Sequence, residues 1–413
     1  MDKMRIGVVG CGVISEIYLK NLTTLFPHVE VVGCADTFNE KASQRAGEFR
    51  IRPMGTDELV RCPDVDVVLN LTNPRFHADV SITALENGKH VYSEKPLADS
   101  FARGRDIMEL AAKKNLRVGC APDTFLGESL QSACKALADG RIGRPLAAAA
   151  FMTTPGHERW HTNPAFYYQQ GGGPHLDMGP YYLTALVAML GPISRVACLA
   201  GRGHKERAIA TGPLAGTHFP VEVDSHYGAT MEFACGAILT LMWSFDIWAT
   251  NLPFIEVYGS EGTLSLPDPN WFDGEVRVRG MADGDFAVLP VGPVWAHPEQ
   301  NRLGPARVAD IGKSDTVKAD TGQMDIGKSD TVKADTASTP ERHNLRGLGL
   351  AQMCQAIQTG GEHCATGEMG LHVLEALEAM DVSAATGQAV PLSTTCRKPP
   401  MPVVDMVRGK HGP

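Results

Sequence analysis

The chain has 413 residues, a formal charge of −9 at pH 7 and an isoelectric point near 5.9. That acidic balance argues against a nucleic-acid or polyanion partner, while 43% hydrophobic residues can fill the cores of two domains. Ten scattered cysteines without a C-x-x-C pair indicate neither a disulfide framework nor a cysteine zinc site; no metal is expected. With no N-terminal signal pattern and no run of the roughly 18 apolar residues that a span requires, the expectation is a cytoplasmic protein with no membrane partner.

In chain order, Met4–Val9 reads as a short buried strand and 15–25 as a helix. Between them runs Gly7-Val8-Val9-Gly10-Cys11-Gly12-Val13-Ile14-Ser15. Gly10 allows the tight turn, Gly12 lets the backbone approach a pyrophosphate at the helix N-terminus, and Ser15 keeps helix and strand close. The second strand, Val29–Ala35, ends in Asp36, an acid placed to accept hydrogen bonds from a ribose and to repel a 2′-phosphate. Thr37, Phe38 and Asn39 follow, with no arginine among them, so the expected cofactor is NAD in preference to NADP. The competing reading of Asp36 is a turn-forming aspartate.

Strand and helix then alternate: strands at 65–71, 89–92 and 117–120, helices at 78–87 and 101–115. Such alternation predicts a parallel sheet wound on both faces, with ligands outside the carboxyl ends of its strands. Three proline-bearing segments leave those ends: Thr72-Asn73-Pro74, Glu94-Lys95-Pro96 and Ala121-Pro122-Asp123. Cofactor contacts are expected from Gly10, Gly12, Val13, Ile14, Asp36, Thr72, Asn73, Pro74, His77, Glu94 and Lys95. Proline restricts the backbone of the residue before it, here Lys95. A lysine fixed beside a dinucleotide crevice suggests proton transfer coupled to hydride transfer.

After Asp123 the texture changes. A helix at 126–139 leads through Gly140-Arg141-Ile142-Gly143 into alternating strands at 227–233, 237–243, 254–259 and 262–266, with a weaker one at 276–279. That pattern suits a mostly antiparallel open sheet with one face covered by helices. Helices at 345–358 and 370–380 close the chain. The expected fold is α/β: a doubly wound Rossmann domain over 1–123 and an α+β domain with a large, mostly antiparallel open sheet over 124–413. Within the latter, residues 310–321 recur unchanged as 325–336. This polar stretch buries too little to offset its ordering entropy, so 305–340 is expected to be a mobile insertion.

A second constellation is Gly171-Gly172-Gly173-Pro174-His175-Leu176-Asp177-Met178-Gly179-Pro180-Tyr181, ahead of a helix at 182–190. If a helical turn begins near Asp177, then Asp177 and Tyr181 share a face. A phenol, a carboxylate and the Lys95 ammonium then meet a substrate hydroxyl, which must lose its proton when its carbon loses hydride. Burial and a cationic nicotinamide ring predict a lowered pKa for Lys95. A glycine turn with an N-capping aspartate and a core tyrosine is the alternative.

The glycine loop, the E-K-P run and G-G-G-x-x-x-D-x-G together resemble the glucose–fructose oxidoreductase / inositol dehydrogenase family, often called Gfo/Idh/MocA. The resemblance covers residue 4 to about residue 380 apart from the repeat. It implies a Rossmann domain, a second domain that forms the interface of a homodimer or homotetramer, and oxidation or reduction of a sugar, cyclitol or related polyol. The family lysine maps onto Lys95 and its aspartate onto Asp177. Many members have histidine at the position of Tyr181 and aspartate at that of Thr184; tyrosine resembles the glucose–fructose oxidoreductase branch, where it is the proposed acid/base. Tyr181 is therefore assigned proton transfer with Lys95 as supporting cation, the two roles being exchangeable, and His175 a substrate contact.

His157-Glu158-Arg159-Trp160-His161 matches the zinc-protease pattern H-E-x-x-H. That chemistry requires a helix, and Pro155-Gly156 before and Asn163-Pro164 after leave little room for one. The better reading is a loop whose imidazoles and indole hydrogen-bond and stack on a sugar ring, with plain packing the alternative for Trp160. Substrate contacts are thus expected from Lys95, His157, Trp160, His161, His175, Asp177 and Tyr181. The leading function is an NAD-dependent dehydrogenase acting on a sugar, glycoside or cyclitol. The alternatives are a redox-neutral glycosidase or lyase that oxidises a ring carbon transiently, and a non-catalytic NAD- or sugar-sensing regulator.

Overall fold

The computed structural model describes residues 2–290 and 344–400; both copies of the repeat lie outside the described residues. The first half builds β1 (Met4–Val9), β2 (Val29–Ala35), β3 (Arg52–Pro53), β4 (Val67–Asn70), β5 (His90–Ser93) and β6 (Val118–Cys120). They form one parallel sheet in the order β3-β2-β1-β4-β5-β6. Helices α1 (Ser15–Thr24), α2 (Asn39–Phe49), α3 (Thr56–Arg61), α4 (His77–Glu86) and α5 (Phe101–Lys114) make the crossovers. The central strands are apolar and almost wholly buried, as a sheet covered on both faces requires. Strand order reverses between β1 and β4, which opens a crevice at their carboxyl ends.

Helix α6 (Glu128–Ala138) leads into β7 (Pro145–Thr153), after which α7 (Pro174–Asp177) and α8 (Gly179–Leu190) follow. The remaining strands are β8 (Ile193–Gly201), the small pair β9 (Glu206–Ala208) and β10 (His218–Pro220), β11 (His226–Phe233), β12 (Ile238–Ser244), β13 (Ile255–Gly259), β14 (Gly262–Leu266), β15 (Arg277–Gly280), β16 (Ala287–Val288) and β17 (Val390–Pro391). Apart from the small pair they form a nine-stranded sheet, β16-β15-β14-β13-β7-β12-β11-β8-β17. It is antiparallel except where β7 runs parallel to β12. Sequence reading placed neither β7 nor β8. The β7 sequence Pro-Leu-Ala-Ala-Ala-Ala-Phe-Met-Thr has little strand propensity, and its central place comes from the partners on either side. Residues along β11 and β12 alternate between buried and exposed, so one face carries the core and the other stays open.

The chain closes with α9 (Leu348–Thr359) and α10 (Gly367–Thr386). Helix α10 is buried along most of its length and serves both halves. Leu371 and Leu374 join the apolar cluster around β6 and α5, whereas Leu377 and Met380 join the cluster beneath the second sheet. Glu378 Oε1 accepts the Phe101 N–H at 2.5 Å and so ties α10 to the first turn of α5. Among the described residues no helix is long and apolar enough to cross a membrane.

Candidate active site

The dinucleotide loop is shaped by two different demands on glycine. Gly10 has φ +100°, and a Cβ there would lie 2.5 Å from the Leu71 carbonyl oxygen at the end of β4. A Cβ on Gly12 would meet no protein atom within 4 Å, so that side of the loop is open for a ligand. Helix α1 begins without a side-chain cap; the Ser15 and Glu16 N–H groups donate to the Gly12 and Val13 carbonyl oxygens, and the positive end of the helix dipole lies at the loop. Val13 stands 60% exposed on this loop, beside Ile14. Asp36 Oδ2 accepts the Cys11 N–H at 2.8 Å and Oδ1 the Phe38 N–H at 2.9 Å. It is thus a turn-forming aspartate as well as a negative charge at the end of β2. Open space at Gly12, an uncapped helix start and a partly exposed acid fit a dinucleotide.

Several predicted cofactor residues instead build the crevice walls. Thr72 Oγ1 donates to Asn70 Oδ1 at 2.7 Å, and Asn73 caps the short turn Pro74–Phe76. His77 is a correction. It is fully buried, with Nδ1 2.6 Å from the Pro96 oxygen and Nε2 2.9 Å from the Thr72 oxygen. Both nitrogens face backbone carbonyls, and because burial lowers its pKa the neutral ring donates to one of them; His77 thus sits between two loops and presents no nitrogen to the crevice. Glu94 accepts the Tyr18 hydroxyl at 2.8 Å on Oε1 and the Lys95 N–H at 3.0 Å on Oε2.

From the end of β5 Lys95 crosses to the second half of the molecule. Its Nζ donates to the Asp177 carbonyl oxygen at 2.5 Å and to Asp177 Oδ1 at 3.2 Å, and lies 5.1 Å from the Tyr181 ring centroid. Asp177 ends α7, and Tyr181 sits in the first turn of α8. The two helices meet at Met178, so a break between them, not one continuous turn, turns Asp177 toward Lys95. The far oxygen of Asp177 lies 3.1 Å from His157 Nε2. One carboxylate therefore joins an ammonium to an imidazole. Burial opposes the charge on Lys95, but Asp177, Tyr181 and Glu94 outweigh it and hold its pKa above the ordinary lysine value. This reverses the lowering expected from sequence, because the surrounding anions exceed the desolvation cost. Burial likewise opposes ionisation of Asp177, yet Lys95 and His157 keep its pKa well below the ordinary carboxylate value.

The H-E-x-x-H run forms one short 3₁₀ turn, His157–Arg159. Glu158 is buried; its Oε1 accepts from Arg207 Nη1 and its Oε2 from the Tyr168 hydroxyl, both at 2.5 Å. Arg207 also pairs with Asp246 and donates to the Pro155 oxygen at 3.1 Å. The Tyr168 hydroxyl accepts the His157 N–H at 3.0 Å, so this buried ion network fixes the backbone that presents His157 to Asp177. The His157 ring is packed by Tyr167 and Phe245, with centroids 4.2 and 4.4 Å away. Trp160 is 47% exposed and stands edge-on to both His157 and His161. His161 Nδ1 accepts the Asn163 N–H.

His175 is a second correction. It is 2% exposed, stacks on Tyr227 at 4.2 Å and places Nε2 3.1 Å from Asp381 Oδ2 on α10. Two positions before Asp177, it faces the helix layer and not Lys95. Arg346 escaped the sequence reading. It lies just before α9, is 9% exposed, and its guanidinium donates to Asn270 Oδ1 at 2.9 Å. No local motif marks it, because its partners come from distant parts of the chain.

Two family descriptions match this chain: "Oxidoreductase family, NAD-binding Rossmann fold" over residues 4–121, and "GFO/IDH/MocA C-terminal domain" over residues 130–265. The chain is 26% identical over 372 residues to the 1,5-anhydro-D-fructose reductase of Ensifer adhaerens, covering 88% of this chain and 92% of that one. It is also 26% identical over 272 residues to the scyllo-inositol 2-dehydrogenase (NAD(+)) of Bacillus subtilis (strain 168), covering 64% and 74%. An NAD binding oxidoreductase from Klebsiella pneumoniae has the same fold, with a TM-score of 0.73 at 22% identity over 94% of this chain and 98% of that one. With both halves matched in order, and Lys95 of the first bonded to Asp177 of the second, this protein belongs to the GFO/IDH/MocA family and is an NAD-binding oxidoreductase.

Proposed function

We propose that this oxidoreductase moves hydride between NAD and a secondary alcohol carbon of a sugar, glycoside or cyclitol. The observation that carries the reading is the Lys95 ammonium, bonded to Asp177 and 5.1 Å from the Tyr181 ring centroid. The names of the reductase and inositol dehydrogenase relatives support the substrate class. The reading assigns the dinucleotide to the Gly10–Ile14 loop and Asp36, in a domain over 1–123, and the substrate to a domain over 124–413. Bound NAD supplies the hydride acceptor in oxidation and the hydride donor in reduction. Tyr181 takes the hydroxyl proton in oxidation and returns it in reduction. Lys95 orients the oxygen and stabilises its developing charge; Asp177 holds Lys95 in place. His157 steadies the far oxygen of Asp177.

All ten cysteines are free thiols, which suits a reducing cytoplasm. Exposed Leu199 and Ile238 on the open face of the second sheet suit a homodimer or homotetramer. The test is NADH absorbance with purified protein, added NAD and a panel of sugars, glycosides and cyclitols, with bond cleavage followed chromatographically in the same tubes. NADH growth on one class supports the reading and names the substrate. Cleavage without NADH replaces it with redox-neutral bond breaking, and silence on every class overturns it.

A further inference from the structure

Five aromatic side chains beside the reacting groups close into one ring of contacts. His157 stands edge-on to Trp160, with centroids 5.2 Å apart, and Trp160 to His161 at 5.3 Å. His161 meets Phe166 at 5.5 Å, Phe166 lies 4.0 Å from Tyr167 with planes 32° apart, and Tyr167 returns to His157 at 4.2 Å. His157 is the buried inner member, whereas Trp160 and Phe166 stand exposed. The backbone beneath them is fixed from two sides. The buried Glu158–Arg207–Asp246 network holds the His157 turn. Opposite it, a Cβ on Gly172 would lie 2.5 and 2.7 Å from the Tyr167 and Phe166 carbonyl oxygens, and the Gly173 N–H donates to the Tyr167 oxygen at 2.7 Å. The glycine run that admits those carbonyls continues directly into α7 and Asp177.

The polar edges of this shelf are neutral donors. His161 Nδ1 accepts the Asn163 N–H at 3.0 Å and burial lowers its pKa, so the ring proton sits on Nε2. Burial and Asp177 hold the Tyr167 pKa above the ordinary tyrosine value, which keeps its phenol an O–H donor. Arg159, the neighbouring cation, turns aside onto the Trp248 ring at 4.3 Å. Apolar ring faces with neutral donors at their rim suit a pyranose, whose C–H faces stack and whose hydroxyls hydrogen-bond.

We propose that the shelf binds a second sugar ring, so that the substrate is a glycoside of two or more rings. The ring to be oxidised lies at Lys95 and Tyr181, and its neighbour stacks on Trp160 and Phe166. The inference rests on the oxidoreductase reading above and narrows its substrate class. Continuity carries it: His157 Nε2 is 3.1 Å from Asp177 Oδ2, and the other oxygen of that carboxylate is 3.2 Å from Lys95 Nζ. A single carboxylate therefore separates the shelf from the reacting ammonium. A lone monosaccharide or cyclitol at Lys95 leaves the outer rings in water, and a second ring covers them.

The experiment compares disaccharides with the methyl glycosides of the same sugars, in gluco, galacto and manno configurations. In the first arm, NADH growth gives kcat/KM for each pair in the wild type, Phe166→Ala and Phe166→Tyr. The wild type favours the disaccharide of its preferred configuration by about tenfold or more, Phe166→Ala brings that ratio near one, and Phe166→Tyr keeps it. A ratio near one in the wild type, or an equal loss on both substrates in Phe166→Ala, overturns the proposal. In the second arm, NADH-bound protein, which cannot oxidise an alcohol, is titrated with the same pairs by calorimetry. Tighter disaccharide binding that Phe166→Ala abolishes supports the shelf; equal affinities, or no binding of either, overturn it. Light scattering on both proteins adds a control: a changed subunit number in Phe166→Ala makes the shelf a contact between copies of this chain, and the proposal falls. Methyl glycoside oxidation with no disaccharide preference sinks the second-ring site alone, whereas disaccharide binding without NADH growth counts against the oxidoreductase reading alone.

Discussion

The molecule has two glycine-rich segments, and Gly12 of the first does work opposite to that of Gly172 and Gly179 in the second. In the first, Gly12 keeps a space clear of protein: an added Cβ would meet nothing within 4 Å. In the second, a Cβ on Gly172 would lie 2.5 Å from the Tyr167 oxygen, and one on Gly179 would lie 2.6 Å from Leu377 Cδ2. Gly12 leaves open space, whereas Gly172 and Gly179 make room for the rest of the chain, as Gly10 does toward Leu71. Tight packing around residues 171–179 is what delivers Asp177 and Tyr181 to Lys95. A glycine run therefore signals close approach without saying what approaches.

The sharpest break of that comparison is at Lys95, where the two regions meet. Lys95→Ala is expected to lower kcat by about 10²–10⁴-fold while NAD binding, followed by fluorescence, stays within a few-fold of wild type. Loss of NAD binding together with turnover would place Lys95 in cofactor binding instead. Next, Gly12→Ala should leave the melting temperature unchanged and weaken NAD binding by roughly tenfold or more, as the added methyl enters the space of the pyrophosphate. A variant that melts early and binds normally would reverse the assignment of that loop. Gly179→Ala should do the converse, losing about 1–3 kcal/mol of stability by overpacking against Leu377 and Trp243. The NAD affinity of the folded fraction should not change, and a selective loss of affinity would erase the contrast.

The smallest effect belongs to Asp123, at the junction between the two regions. Burial pushes its pKa up to about 6 from 3.8, against the pull of the Gly347 and Gly349 N–H groups and the charge of Arg346. A raised folded-state pKa gives stability that is present below pH 3.8 and lost as pH rises through about 6. Asp123→Asn lacks that dependence. Its melting temperature should therefore gain on the wild type, by a few degrees, as pH is raised across that window. Parallel curves across it would show that Asp123 titrates normally.

Much of this architecture is written locally. Apolar runs of strand length separated by helical patterns specify the parallel sheet, and Gly10, Gly12 and Asp36 stand at fixed offsets within one βαβ unit. Lys95 is legible because the end of β5 must face the same crevice. Local rules fail where propensity and packing disagree. The alanine run of β7 becomes a central strand only because β12 and β13 flank it. His77 and His175 sit beside plausible site residues in sequence, yet both turn into the protein, where carbonyls or Asp381 complete their bonds.

What the sequence by itself determined was the kind of protein: a dinucleotide fold, a lysine at its crevice, and a second segment carrying an acid and a phenol. These follow from turn chemistry and periodicity, which act over a few residues. Tertiary structure alone decided how the groups are wired. It joined Asp177 to both Lys95 and His157, buried Glu158 against Arg207, and brought Arg346 to Asn270. Those choices are made by charges that lose water together when distant segments pack. A buried charge takes whichever partner the fold brings within reach, and nothing in its sequence neighbours names that partner.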